Sequence, residues 1–263
     1  MSTLRSRDNT RVRRWHALTH DAAARRQEGS VLLEGPHLVA ACLDAGLRPK
    51  ALLVSASACG KPEIAELLRR AAQAPVTLSD ALFRWVADAA TPAGLAAEID
   101  LPRGAPGLGG ARHAVFLDAV QDAGNVGAIL RSAAAFGVDT AILGRGCADA
   151  WSPKVLRAAM GGHFGLHIAE AVNLSEALVG FKGLLVCAAT SGGAAPDTVD
   201  LRGPVGWIFG SEGQGVSAEV ARHATLKLSV PLAPGAESLN VAAAAAVLLY
   251  ERARQLSTGA ARS

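Results

Sequence analysis

Four short runs in the second half of the chain, "HAVFLDAV", "DTAILG", "GLLVCAAT" and "VGWIFG", are apolar at nearly every position instead of at alternate ones. A strand with one wet face alternates, whereas a strand that is apolar throughout must be covered on both faces. Helical segments intervene at "GAILRSAAAFG", "SPKVLRAAMGG" and "NLSEALVG". The last two elements are the strand "ATLKLSVP" and a helix from Val241 to about Gln255. This alternation implies an α/β fold, a doubly wound parallel sheet with helices on both faces. Half of the residues are hydrophobic but only 4% are aromatic, so the core must be built from Ala, Leu and Val.

Before this block, "LPRGAPGLGGARH" at residues 101–113 holds four glycines and two prolines and reads as a linker. Residues 1–100 also alternate strand and helix. "SVLLE" turns at Gly35-Pro36 into a helix that stops at Gly46, "PKALLVS" and "APVTLSD" read as strands, and "KPEIAELLRRAAQ" and "SDALFRWVADA" as helices. The expected organisation is a small α/β domain over 1–100 and a larger one over 114–263, both within the usual domain range.

Net charge is only +3, but the first 26 residues carry seven arginines against two aspartates. Arginine forks match phosphate oxygens, so this basic arm is a candidate for binding phosphate, with a solvated tail or a transit peptide as the alternatives. The four cysteines (Cys42, Cys59, Cys147, Cys187) have no C-x-x-C spacing and read as free thiols of a reducing compartment. No run is long and apolar enough to span a membrane and no signal-peptide pattern opens the sequence, so a cytoplasmic location is expected.

Three strand ends carry unusual residues, and ligands of open parallel sheets gather at the carboxyl ends of strands. The first is "LDAVQDAGNVGAILRSA", where a strand ending near Val120 leads to a helix starting near Val126, with free N–H groups to offer an anion and Arg131 one turn further on. The second is "VGWIFGSEGQGVSAEV". Three glycines in six residues demand a contorted loop around Glu212, and Ser217 suits the N-cap of the next helix. The third is "PGAESLNVAAAAAVLLYE". Ser238 and Asn240 are both strong capping types, yet one cap suffices. The alanine-rich helix that follows should be buried, and an interface between two copies of the chain is its natural place.

Taken in order, "NVGAILRSA" (125–133), "IFGSEGQGVS" (208–217) and "LSVPLAPGAESLNVAAAAAVLLYE" (228–251) resemble the three motifs of the SpoU/TrmH class of SPOUT RNA methyltransferases, a likeness spanning residues 114–257. "VLLEGPHLVAACLDAGLRPKALLVS" is similar to the L30e-like substrate-binding domain that precedes many of these catalytic domains. The resemblance implies a C-terminal deep trefoil knot, S-adenosylmethionine as cofactor, and a homodimer whose sites use both chains. It implies 2′-O-methylation of RNA ribose, with ribosomal RNA ahead of transfer RNA. It also implies catalytic roles for Arg131, Asn125, Glu212, Ser238 and Asn240, and cofactor contacts from Thr190, Gly192, Gly210, Val230 and Leu239. The sequence departs from the family pattern at Ala123, Leu232 and Ala242, where proline, methionine and serine are common.

Other chemistries fit less well. "GRGCAD" begins like a dinucleotide fingerprint but lacks its third glycine. His163 and His167 have helical spacing yet sit in a Gly-rich stretch leading to a strand, so no metal site is expected. A non-catalytic RNA-binding module is the remaining alternative, and retention of Arg131, Glu212, Ser238 and Asn240 together speaks against it.

Overall fold

The computed structural model describes residues 3–102 and 110–260. Most of the expected linker therefore lies outside the described residues. The chain divides into two compact units, Met1–Arg103 with Trp151–Phe164, and Gly104–Ala150 with Gly165–Ser263.

The first unit opens with helices α1 (Thr10–His20) and α2 (Ala22–Glu28) and continues through β1 (Ser30–Glu34), α3 (Pro36–Asp44), β2 (Ala51–Ser55), α4 (Pro62–Ala71), β3 (Val76–Leu78), α5 (Asp80–Val86) and β4 (Leu95–Asp100). Its sheet runs β1-β4-β2-β3, with β4 antiparallel to both β1 and β2, and β2 parallel to β3. The arginine-rich opening is thus folded and is not an arm. Asn9 caps α1 by accepting from the amides of Arg11 and Val12, and Asp21 caps α2 through the amide of Ala23. Val12, Trp15 and Leu18 sit in one cluster with Leu53, Leu78 and Phe83. Two of the arginines place their guanidinium carbon over an aromatic ring, Arg7 over Trp85 and Arg11 over Trp15, 5.3 and 5.0 Å from the ring centres. His16 stacks on Trp85 at 3.8 Å.

The second unit contains β5 (His113–Asp118), α6 (Ala123–Ala135) and β6 (Thr140–Gly144). The chain then supplies α7 (Pro153–Ala159) to the first unit, where Arg157 pairs with Asp88 at 2.6 Å. The sequence places this helix in the larger domain, but its contacts place it with the smaller. The second unit resumes with β7 (His167–Val172), α8 (Leu174–Gly180), β8 (Leu184–Ala188), β9 (Val205–Gly210), α9 (Ala218–Ala221), β10 (Leu226–Leu228) and α10 (Val241–Ala260). The six strands form one sheet, β10-β8-β9-β5-β6-β7, parallel throughout, as the apolar runs require. Phe116, Trp207, Ile208 and Phe209 are fully buried at its centre.

The long helix α10 is covered on one side only. Ala245, Leu248, Leu249 and Arg252 are buried, and α10 packs along α6. Ala243, Val247 and Tyr250, at i, i+4 and i+7, form an exposed stripe on the other side. Among the described residues no helix is long and apolar enough to cross a membrane, and no group of three or more His, Cys, Asp or Glu is placed to hold a metal ion. His163 is buried against Trp151, with ring centres 4.9 Å apart.

Candidate functional site

Two of the three unusual strand ends, those of β9 and β10, meet with the end of β8 around one cavity of about 440 Å³. That volume lies within the range of about 300–1,000 Å³ usual for small-molecule and cofactor sites. Each wall has a local reason for its shape. β9 ends in Gly210 because the following loop folds straight back over it, so that a Cβ there would lie 2.0 Å from the carbonyl carbon of Gly215. Ser211 and Gly215 exchange backbone hydrogen bonds of 3.1 and 2.9 Å, and Gly215 takes φ +66, a backbone that side chains disfavour. Ser217 then caps α9 by accepting from the amide of Val220. Opposite, Asn240 opens α10, its Oδ1 accepting from the amides of Ala242 (2.9 Å) and Ala243 (3.3 Å). Leu228, Val230, Leu232, Leu239 and Leu248 give the cavity an apolar wall.

A chain of side-chain hydrogen bonds ties the three loops together. Because Oδ1 of Asn240 faces the helix amides, its Nδ2 points outward and donates to Oδ1 of Asn125, 3.0 Å away. Asn125 in turn donates through Nδ2 to Oε1 of Glu212. The direction of this chain is set by the helix cap at one end and a carboxylate, which can only accept, at the other.

The first loop differs from expectation. β5 ends at Asp118, and α6 begins at Ala123 with Asp122 as its N-cap, so Asn125 is in the first turn and Arg131 more than two turns in. The anion expected at this helix start is the chain's own, since Asp122 Oδ1 accepts from the amide of Asn125 at 2.9 Å.

Of the residues singled out from sequence, Glu212, Ser238, Asn240, Thr190, Gly210, Val230 and Leu239 line the cavity, and Asn125 is bonded to two of them. Gly192 is not a lining residue; it lies two positions beyond Thr190 with φ +74. Arg131 is not a lining residue either. It is exposed on α6, about 9 Å along the axis from Asn125 and turned about 120° from it. Sequence reading passed over Ser211, Gln214, Ala244 and Leu248, which also line the cavity. The first two lie inside a motif already noted, but nothing in an apolar helix marks which turn of it faces a ligand.

The chain matches the model of the SpoU rRNA Methylase family over residues 112–250. It belongs to that family. Residues 9–97 match the MRM3-like substrate binding domain, the counterpart of the first unit. Among curated relatives of this SpoU-family chain, the Bacillus subtilis 23S rRNA (guanosine(2553)-2'-O)-methyltransferase RlmP is 36% identical, over 95% of this chain and 98% of its own. The zebrafish (Danio rerio) mitochondrial rRNA methyltransferase 3A is 32% identical, over 94% and 69%. Solved structures agree. The SpoU methyltransferase AviRb of Streptomyces viridochromogenes, in complex with the cofactor AdoMet, superposes with a TM-score of 0.81 at 25% identity, covering 95% of this chain and all of that one. The AdoMet-bound rRNA methyltransferase of Sinorhizobium meliloti also gives 0.81, at 28% identity, covering 97% and 98%. The fold expected from sequence, a parallel α/β sheet of the SPOUT type, is the one observed.

Proposed function

We propose that this protein is an S-adenosylmethionine-dependent methyltransferase acting on a ribose 2′-hydroxyl of ribosomal RNA. The observation that carries the proposal is the cavity at three converging strand ends, joined by the Asn240–Asn125–Glu212 chain. The cavity fits the cofactor by its size, by the apolar leucine and valine wall for an adenosyl group, and by the glycine cradle at Gly210 that lets backbone approach closely. Thr190, Gly210, Val230 and Leu239 would hold it. When bound, S-adenosylmethionine supplies a methyl group already activated on sulfonium. What remains for the protein is to align the hydroxyl and handle its proton. Ser238, on the cavity rim, is left free by the Asn240 cap to orient the ribose. Asn125, held at both ends of its amide, fixes the rim. Arg131 orients the ribose and its phosphate, since a guanidinium stays protonated and donates only. The preference for ribosomal over transfer RNA rests on the relatives named above, and the free thiols suit the cytoplasm. The test is to supply labelled S-adenosylmethionine and unmodified 23S rRNA to the purified protein and map ribose methylation. Absence of both cofactor binding and transfer would refute the assignment.

The proposal includes a homodimer with sites built from both chains, and a threaded C-terminus in which the loops after β8 and β9 surround the start of α10. Two features support the dimer. The α10 stripe of Ala243, Val247 and Tyr250 is apolar and exposed, and Arg131 on the neighbouring α6 is exposed and does not line its own chain's cavity. Introducing a charge with Val247→Glu should convert the protein to a monomer in sedimentation velocity and abolish transfer. A dimer that persists would place the interface elsewhere.

The first unit would grip RNA through Arg7 and Arg11, which are exposed and held over Trp85 and Trp15. A guanidinium attracted to a ring face still has N–H groups to offer a phosphate. Deleting the opening segment would tear Trp15 and Leu18 out of the core, so point substitutions are the cleaner probe. Replacing Arg7 and Arg11 together with Ala should lower the slope of log K for RNA against log salt by about 1.5 while leaving S-adenosylmethionine affinity unchanged. An unaltered slope would remove these two from the interface.

A further inference from the structure

We propose that a second cavity in the catalytic unit, at the carboxyl ends of β5, β6 and β7, receives a guanine base of the RNA substrate; this rests on the methyltransferase reading above. The cavity measures about 270 Å³. It is smaller than the range of about 300–1,000 Å³ for cofactor-sized ligands, which suits a single base. It opens on the same edge of the sheet as the cofactor cavity. Three strand spacings, from β8 to β6, set their centres about 14 Å apart, with the β5–α6 loop that carries Asn125 between them. An RNA strand lying along this edge, with one ribose at the cofactor cavity, brings a base to the second cavity.

The lining suits one base in particular. Gly144, Val172, Leu174 and Val220 give an apolar surface for a ring face. Gly144 is required there, because a Cβ would lie 2.7 Å from a methyl of Leu174. Around this surface stand two carboxylates, Asp118 and Glu219, and one guanidinium, Arg145. Both carboxylates are held in place with one oxygen unspent. Asp118 Oδ2 accepts from the amide of Ser217 at 2.8 Å, and Glu219 Oε1 accepts from the hydroxyl of Ser175 at 2.9 Å. Arg145 is exposed and spends none of its N–H groups on the described residues. Guanine is the base that presents two adjacent donors, N1–H and N2–H₂, for carboxylates, and two adjacent acceptors, O6 and N7, for a guanidinium. Adenine and cytosine offer one amino donor each, and uracil no such amino group. Unstacked bases of single-stranded RNA are read on both of these edges.

The experiment uses the full chain and guanosine 5′-monophosphate as probe, with inosine 5′-monophosphate as the analogue lacking only the N2 amino group. The protein is first saturated with S-adenosylhomocysteine to fill the cofactor cavity, and backbone amides are followed by transverse-relaxation-optimised NMR. The guanosine nucleotide should shift the amides of Ser175, Ser217 and Glu219. The inosine nucleotide should bind about tenfold more weakly. Glu219→Gln, and independently Ser175→Ala, should abolish that difference while leaving the S-adenosylhomocysteine shifts unchanged. Guanosine and inosine nucleotides of equal affinity, or shifts confined to other surfaces, would overturn the proposal. Failure of S-adenosylhomocysteine to move Thr190 and Leu239 would instead refute the methyltransferase reading itself.

Discussion

Replacing Arg131 with Ala is expected to leave S-adenosylmethionine binding intact and to lower methyl transfer by about 10²-fold or more, the scale for loss of a group that positions the reacting hydroxyl. The two halves of this expectation have separate origins. Arg131 does not line its own chain's cavity, so cofactor affinity should not depend on it. It is exposed on α6, the helix that packs along α10, and a second copy seated on the α10 stripe would bring it to the other cavity. Arg131→Lys should rescue little, because the planar fork that holds a hydroxyl and a phosphate oxygen together is lost. Calorimetry for binding and single-turnover transfer for chemistry separate the two effects. A mixed dimer goes further. One chain carries Arg131→Ala, the other Gly210→Val, which fills the cradle under the glycine loop. If sites are shared between chains, the Arg131→Ala chain's cavity meets an intact arginine and activity returns on mixing. If each site is complete within a chain, mixing two inactive proteins yields nothing. Full turnover by Arg131→Ala alone would end its assignment.

Asn240 offers a contrast. It caps α10 and orients Asn125, so Asn240→Ala removes a helix cap and the bond between two loops at once. Binding and turnover should fall together there, unlike at Arg131.

The catalytic unit was legible because its strands are buried on both faces, so that composition alone separates them from helices. The three motif loops were legible for a different reason. Glycines, a carboxylate and paired capping residues have no part in a packed core, so they stand out at strand ends. The opening helix α1 was not legible. Its buried positions, Val12, Trp15, Leu18 and Thr19, are interleaved with arginines and histidines, and charge density outweighs the apolar spacing when read along the chain. β4 was missed too, since "LAAEID" places a glutamate where a buried strand should be apolar. The placement of α7 in the first unit is a matter of long-range contact, which no local pattern encodes. The same holds for Arg131, since a sequence can say that an arginine follows a loop but not that six helical residues turn it away from that loop.

That glutamate in β4 is the second position where a large effect is expected. Glu98 is 3% exposed, with Oε2 accepting from Trp15 Nε1 and Oε1 from Arg14, both at 2.8 Å. Arg14 also pairs with Glu28 at 2.7 Å. Burial pushes the Glu98 carboxyl upward, but the hydrogen bonds from Arg14 and Trp15 and the charges of Arg14 and Lys50 together hold it below the usual glutamate range. Glu98→Ala would leave the buried indole N–H without an acceptor and Arg14 without its inner partner. Because Arg14 is itself a third exposed, the loss falls below that of a fully buried pair, at about 2–4 kcal/mol. Glu98→Gln keeps one acceptor oxygen and should cost less, about 1–3 kcal/mol. Because the folded pKa is depressed, the stabilisation is complete above the unfolded value of about 4.3 and is lost as pH falls through the folded one. Glu98→Gln should therefore flatten the acid limb of the stability profile as well as lower its plateau. Three of the four tryptophans, Trp15, Trp85 and Trp151, lie in the first unit, so fluorescence-detected urea unfolding reports mainly on it. The expected result is a lower midpoint for that transition, with RNA affinity lost and S-adenosylmethionine binding retained, because Glu98 belongs to the substrate-binding unit and the cofactor cavity to the other. An unchanged midpoint in Glu98→Ala would mean that the Arg14–Glu98–Trp15 cluster contributes nothing net, its attraction cancelled by the desolvation of the charges it buries.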